Sequence, residues 1–384
     1  MSKIFRIAID VSPLNDGNSK RGVGFYTRNL VSSLKEEIKL NPLYKNFEIV
    51  LIENCKFLPA GRQGKIKNYD LVHYPYFDPF YLTLPTKKDI PQIITIHDLI
   101  PIQFKQHFPS GIRGFLKWQI QKHKAKQSDY IITVSNYSKY VIAESLGFAA
   151  DKIYVTYEGA TPDFKKIIDH KKLSQIKKKY KLPEEFVFYT GDINWNKNIP
   201  SLVKACIDLN YPLVIAGKQA IDIDNLKLEK PSIARPMDLF RHLLDIPSPQ
   251  LKHLTTLKKI FHSPLVYRLG FVDSEDLPFL YNLATIYCQP SYAEGFGLCP
   301  LEAMQSGTPV VYSSDTSLPE IMGEAGISFN PYSTDGLISS LKKLWIDKTL
   351  QDQQIKMGIN RSKFFSWKQT AKQTLAVYDL ALSR

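Results

Sequence analysis

The sequence predicts an α/β protein built of two doubly wound domains, and three observations carry that reading. At 384 residues the chain is too long for one ordinary core, so two domains are expected. Short apolar runs alternate with helical periodicity through the first half and again through the second, as parallel βαβ units require. The distinctive polar motifs fall just after apolar runs, at the carboxyl ends of strands, where such sheets collect their ligands. A composition of 44% hydrophobic and 23% charged residues excludes disorder on this scale.

Taken in order, strands are predicted at 5–11, 47–52, 69–73, 92–96, 130–134 and 153–157, with helices near 22–39, 112–127 and 136–146. A lysine-rich stretch, 165–181, has Leu173 and Ile176 at helical spacing and reads as the link. The second half repeats the pattern, with strands at 186–190, 212–216, 265–269, 285–289, 309–312 and 327–329. Its helices are expected near 198–209, 275–283, 300–306, 318–322 and 334–346. Residues of about 219–262 interrupt the alternation and read as a helical insertion. A last helical stretch runs through Ala371, Leu375, Val377, Tyr378 and Leu382. The domains are thus placed at 1–170 and 171–366, facing each other across a cleft. The terminal helix, about 367–384, is expected to pack back on the first domain.

The net charge of +13 is unevenly placed: residues 1–181 hold 30 of the 50 Lys and Arg but only 16 of the 37 Asp and Glu. Such an excess attracts phospholipid head groups, nucleic acid or diphosphates, and a solvated lysine-rich surface fits it equally. No amphipathic helix with an evident lipid face stands out, so any membrane attachment is expected to be weak. Cys55, Cys206, Cys288 and Cys299 are far apart and form no Cys-x-x-Cys pair, which fits reduced thiols in a cytosol. The first apolar run reads as a strand rather than a targeting signal, and no run approaches a membrane span. The expected location is cytoplasmic, with peripheral contact at the inner face of the cell membrane.

The strongest motif is Pro290-Ser-Tyr-Ala-Glu294-Gly295-Phe296-Gly297-Leu298-Cys-Pro300-Leu-Glu302. A strand ends near Gln289, a glycine-bearing loop follows, and Pro300 suits the start of a helix. Backbone N–H groups of the loop and the helix N-terminus can face a phosphate. Glu302 is expected in the first helical turn. Two carboxylates on an anion-binding element repel the anion unless they aim at hydroxyl donors, as on a sugar or ribose. The same spacing also fits two residues that cap the turn and the helix.

This motif resembles the signature of glycosyltransferase family 4, whose members are retaining enzymes of the two-Rossmann-domain glycosyltransferase B architecture. Gly307-Thr-Pro-Val-Val, Leu269-Gly-Phe-Val with Leu277 and Leu280-Tyr281, and Leu318-Pro-Glu320 are similar to it as well. Within the family the chain looks closest to the mannosyltransferase-like bacterial branch that builds surface polysaccharides. The resemblance implies that Glu294 contacts donor-sugar hydroxyls and Glu302 the ribose. It also implies that the backbone around Gly295, Phe296, Gly297 and Leu298 meets sugar and diphosphate.

Three further segments follow strands. In Thr190-Gly191-Asp-Ile-Asn-Trp-Asn-Lys197-Asn198, Lys197 can reach a diphosphate as a point charge. The family usually carries Arg-Lys-Asn here, often with an arginine just after the glycine, whereas this chain keeps Lys197 but has Asn196 and Asp192 at those places, so positive charge is lost and an acid added. In Gly22-Val-Gly24, glycines let the backbone approach a ligand, although a lone Gly-x-Gly is a weak signal. The resemblance places it beside the donor phosphates, with Lys20 and Arg21 adding charge. His97, in Thr95-Ile-His97-Asp98, ends a strand. Such a histidine is usually structural, and the family resemblance sets it against the donor sugar. Asp98 is expected to orient the turn, Ser135 to cap a helix, and His73 to matter less. Asp222-Ile-Asp224 has the form of a diphosphate-metal motif, but it lies inside the insertion and is read as coincidence.

The expected function is a retaining transfer of a hexose, with mannose from GDP-mannose as the best guess. The expected acceptor is a glycan or lipid-linked glycan, and no metal or other cofactor is needed. A sugar-nucleotide epimerase of the same architecture is the nearest rival. A basic nucleic-acid-binding protein would explain the charge but leave the Glu294–Glu302 loop unexplained, and the chain shows neither the aromatic-basic stacking surface nor the nucleic-acid fold that such a protein needs. A nicotinamide dehydrogenase would explain the nucleotide folds, but this chain lacks Gly-x-Gly-x-x-Gly directly after a strand with an acid about 20 residues on.

Overall fold

A computed structural model of the chain describes residues 3–19, 22–53, 68–85, 88–225 and 249–383, without the side chains of 249–251. Lys20, Arg21, Cys55 and much of the expected insertion lie outside the described residues. The chain divides into two compact units: Met1–Lys105, Pro109–Gly159 and Phe365–Arg384 form the first, Gln106–Phe108 and Ala160–Phe364 the second. The lysine-rich stretch therefore belongs with the second unit and the last helix with the first.

In the first unit six parallel strands, β1 (Phe5–Asp10), β2 (Phe47–Ile52), β3 (Leu71–Tyr74), β4 (Gln92–Thr95), β5 (Tyr130–Thr133) and β6 (Ile153–Val155), form one sheet in the order β2-β1-β3-β4-β5-β6. The order reverses between β1 and β3. Every residue of β3, β4 and β5 is buried, because helices cover both faces of a parallel sheet, hence the unbroken apolar runs. Helices run over Gly22–Leu40, Gly111–Lys126 and Asn136–Leu146. Ser135 caps the third of these by accepting from the Ser138 N–H at 3.1 Å. The final helix, Trp367–Leu382, is capped by Ser366 and packs on Gly22–Leu40.

In the second unit β7 (Val187–Thr190), β8 (Leu213–Ala216), β9 (Val266–Gly270), β10 (Ile286–Gln289), β11 (Val310–Ser313) and β12 (Ile327–Phe329) are also parallel, in the order β9-β8-β7-β10-β11-β12. Two βαβ halves thus run outward from the β7–β10 pair, the Rossmann arrangement, and the strand order reverses there. The lysine-rich stretch forms the helix His170–Lys179, capped by Asp169. Of the expected insertion, Gln219–Asp222 forms a helical turn and Pro249–Ile260 a helix.

Two expectations are corrected here. The helix placed at Pro300 begins at Leu298, because Gly297, at φ +119°, turns the chain into it two residues earlier. Glu302 consequently sits beyond the first turn. A helix over Lys348–Ser362 was not foreseen: its buried residues are Gln351, Gln354, Gly358 and Ser362, so it has no apolar stripe to detect.

Candidate active site

The loops after β7 and β10 leave the sheet on either side of the strand-order reversal, where doubly wound folds place ligands. The first carries Gly191 and Lys197, the second Glu294 to Leu298. The structure brings Lys197 and Glu294 together: the ammonium lies 2.8 Å from each carboxylate oxygen. The side chains are 22% and 11% exposed. Burial opposes the charge on Lys197, but the charge and hydrogen bonds of Glu294 outweigh it and raise the lysine pKa. Lys197 is therefore a cation at neutral pH.

Glu294 is held from several sides. Gln289 Nε2 and Ser291 Oγ each donate to its Oε1 at 2.6 Å. Its N–H donates to Thr316 Oγ1 at 3.0 Å. Thr316 itself sits at φ +58°, a costly conformation for a β-branched residue, of the kind that persists where surroundings over-determine it. The Ser317 hydroxyl reaches the carbonyls of Glu294 and Phe296 at 2.9 and 2.8 Å. Phe296 is buried and anchors the loop. Behind it, the N–H groups of Leu298 and Cys299 precede the first intrahelical bond, from Leu301 N to Gly297 O, and so have no acceptor within the helix. That end is suited to an anion.

The loops are stitched by the two asparagines flanking Lys197. Asn196 Nδ2 donates to Ala293 O at 3.1 Å and its carbonyl accepts from Tyr292 N at 2.8 Å. Asn198, in the left-handed region at φ +51°, donates from Nδ2 to Pro290 O and Pro331 O at 3.1 and 3.0 Å. The rings of Trp195, Tyr292 and Tyr332 stack in sequence at 4.9 and 5.1 Å. The missing arginine at position 196 is thus replaced by a residue that fixes loop geometry, while Asp192 is exposed. Glu302 is buried and accepts from the Tyr281 hydroxyl at 2.8 Å. Gly191 stands at φ +136°, and a side chain at the facing Gly217 would meet Gly191 O at 2.3 Å, so this turn needs glycine for packing.

In the first unit, His97 lies after β4. Its Nε2 donates to Pro75 O at 3.2 Å and its Nδ1 faces Glu158 Oε1 at 3.3 Å. Tyr26 packs edge-on against the ring at 4.5 Å. His73 is fully buried between Tyr378 OH at 2.7 Å and Thr95 Oγ1 at 2.8 Å. Burial, then the charge of His97, push its pKa down to about 3, which makes it a neutral structural ring. Asp98 accepts from Ile100 N at 3.0 Å and orients the turn. The two glycines of Gly22-Val-Gly24 separate: a β-carbon at Gly24 would lie 2.4 Å from Asn18 O, whereas at Gly22 it would meet nothing within 4 Å.

Asp224 pairs with Arg268 at 2.8 Å at the end of a helical turn. Among the described residues, no group of three or more His, Cys, Asp or Glu is placed to share a metal ion. Sequence reasoning missed Gln289, Ser291, Thr316 and Ser317. Gln289 left one signal, a polar residue closing an otherwise apolar and aromatic strand. The others are ordinary loop residues with none.

A family profile described as Glycosyltransferase Family 4 matches residues 22–164, and one described as Glycosyl transferases group 1 matches 171–361. The chain is 27% identical over 339 residues to the O-antigen chain mannosyltransferase B of Escherichia coli, covering 86% of this chain and 80% of that one. It is 28% identical over 341 residues to the E. coli serotype-specific mannosyltransferase WbdA, covering 83% of this chain but 38% of that longer protein. Sucrose-phosphate synthase from Thermosynechococcus elongatus shares the fold, with a TM-score of 0.72 over 99% of both chains at 18% identity. With both profiles matched in tandem across two Rossmann-like units, the chain belongs to glycosyltransferase family 4.

Proposed function

We propose that this glycosyltransferase transfers mannose from GDP-mannose, with retention and without a metal ion, to a glycan or lipid-linked glycan of a surface polysaccharide. The observation that carries the reading is the Lys197–Glu294 pair at the strand-order reversal, beside the helix end at Leu298. The mannosyltransferase relatives support the sugar and the O-antigen relative the acceptor class.

Each residue then has a task. Glu294, fixed by Gln289 and Ser291, accepts hydrogen bonds from donor-sugar hydroxyls. Lys197 and the N–H groups of Leu298 and Cys299 stabilise the diphosphate as it leaves, already oriented before charge develops. The backbone at Gly191 approaches the same phosphates, and Gly295, Phe296 and Gly297 line the sugar. Glu302 serves the ribose, and the family resemblance gives Gly22 and His97 of the first unit their part in donor binding. Retaining hydrolases flank the bond with two carboxylates. Here Glu294 and Glu302 lie on one loop-and-helix element, which favours same-face substitution, with the departing diphosphate taking the acceptor proton.

The test is to incubate the protein with GDP-mannose and mannosylated acceptors, with and without EDTA. Proton NMR then assigns the new linkage. An α-linked product and free GDP, unchanged by EDTA, are expected. A β-linked product, or activity restored only by manganese, refutes retention or metal independence respectively. A sugar-nucleotide isomer without free GDP marks an epimerase.

A further inference from the structure

The helix Gly111–Lys126 in the first unit turns a modest face inward. Gly114, Trp118, Gln121 and Ala125 are its buried residues. At 3.6 residues per turn, the opposite face carries Ile112, Phe115, Leu116 and Ile120. These are 71, 56, 56 and 45% exposed. Single exposed apolar side chains are ordinary, but four in one stripe mark a contact surface.

The flanks are basic. On the helical wheel Arg113, Lys117 and Lys124 fall on one side of the stripe and Lys122 on the other, exposed Gln119, His123 and Lys126 fall within it, and the helix has no Asp or Glu. Lys122 and Lys124 are tied by their ammonium groups to Ser145 O and Leu84 O, at 2.7 and 2.9 Å. Lys117 lies over the ring of Tyr81 at 5.3 Å, and that ring is itself well exposed. An aromatic ring with a polar tip beside a lysine suits the boundary between hydrocarbon and head groups. In sequence the helix shows no single apolar face, because Trp118 points inward while Phe115 and Leu116 point outward.

We propose that this face docks on an anionic phospholipid bilayer, the helix lying in the interface plane. Ile112, Phe115, Leu116 and Ile120 enter the acyl boundary, and Arg113, Lys117 and Lys126 meet head-group phosphates. Charge complementarity selects a membrane: every charged side chain of the helix beside the stripe is basic, Glu144 of the neighbouring helix being the acid near Phe115 and Lys122, and residues 1–181 carry most of the basic excess. Among the described residues no helix is long and apolar enough to cross a membrane, so this contact is a surface attachment. The inference goes beyond the transfer reaction, since docking needs neither donor nor acceptor.

The experiment sediments the full chain with phosphatidylcholine vesicles, with and without phosphatidylglycerol. Binding to the anionic vesicles, weakened by added salt, is expected. The double variant Phe115→Ser/Leu116→Ser should lose at least about tenfold in partitioning by removing two buried apolar groups. The triple variant Arg113→Gln/Lys117→Gln/Lys126→Gln should lose the preference for anionic lipid. None of the five side chains is among the buried residues of the helix, so thermal melts should match wild type and confirm folding. Equal binding to both vesicles, or a double variant that binds like wild type, overturns the proposal. So does a dimer in vesicle-free solution that the double variant splits, which makes the face an interface between copies. Transfer to a water-soluble acceptor should survive in these variants, so its absence in wild type would count against the transfer reading alone.

Discussion

The Lys197 ammonium sits 2.8 Å from both carboxylate oxygens of Glu294, so an ion pair joins two loops that leave neighbouring strands. Separating largely buried charges leaves the remaining one uncompensated. Lys197→Met and Glu294→Gln are each expected to lower stability by about 3 kcal/mol. The double variant should recover part of the loss, and each single variant should slow transfer about 10²–10³-fold. Denaturant unfolding and initial rates check this. Strictly additive stability losses would show that the pair is not coupled.

Asn198 does two jobs, holding a left-handed backbone and donating to two carbonyls. Asn198→Gly keeps the first and loses the second, so it should cost about 1–3 kcal/mol for the unpaired carbonyls. Asn198→Ala should cost roughly 1–2 kcal/mol more for the backbone conformation. Equal melting temperatures for the two variants would refute the division.

The strands and most helices were legible because parallel sheets buried on both faces must be apolar throughout. The site was legible only in its charges and glycines. What holds Glu294 still is a set of hydroxyls and amides, Ser291, Thr316, Ser317 and Gln289, whose partners are remote in sequence or local by chance of the turn. Lys348–Ser362 escaped because it packs through glutamine and glycine. The outward stripe of Gly111–Lys126 escaped because periodicity reports that a residue is apolar, not which way it faces.

Gly22 and Gly24 should respond oppositely to alanine. Gly24→Ala places a β-carbon against backbone oxygens of Asn18 and Ser19, with no flexible side chain to yield, and should destabilise by about 1–3 kcal/mol. Gly22→Ala meets open space and improves helix propensity, so stability should hold or rise. Its cost should fall on donor KM. Unchanged kinetics in Gly22→Ala would remove that glycine from the donor site.

Acid should weaken the first unit through His73. The unfolded chain binds a proton on this ring near pH 6.5, but the folded protein does not until about pH 3. Its contribution is therefore complete above 6.5 and drains as pH falls through that window. Between pH 7 and pH 5 the loss should be about 2 kcal/mol. In His73→Gln the pH dependence of the first unit's melting should shrink by that amount. An unaltered dependence would mean that the ring is protonated in the folded state.

The helix Trp367–Leu382 completes the first unit, supplying Tyr378 to His73 and Trp367 against Tyr26, 5.8 Å between ring centres. During synthesis the second unit is made in full while the first still lacks a wall. At about 5–20 residues per second, Tyr378 follows Gly159 by roughly ten to forty-five seconds. Through that interval the nascent first unit exposes the core surface this helix will cover, and it is the part of the chain that a chaperone would have most time to hold.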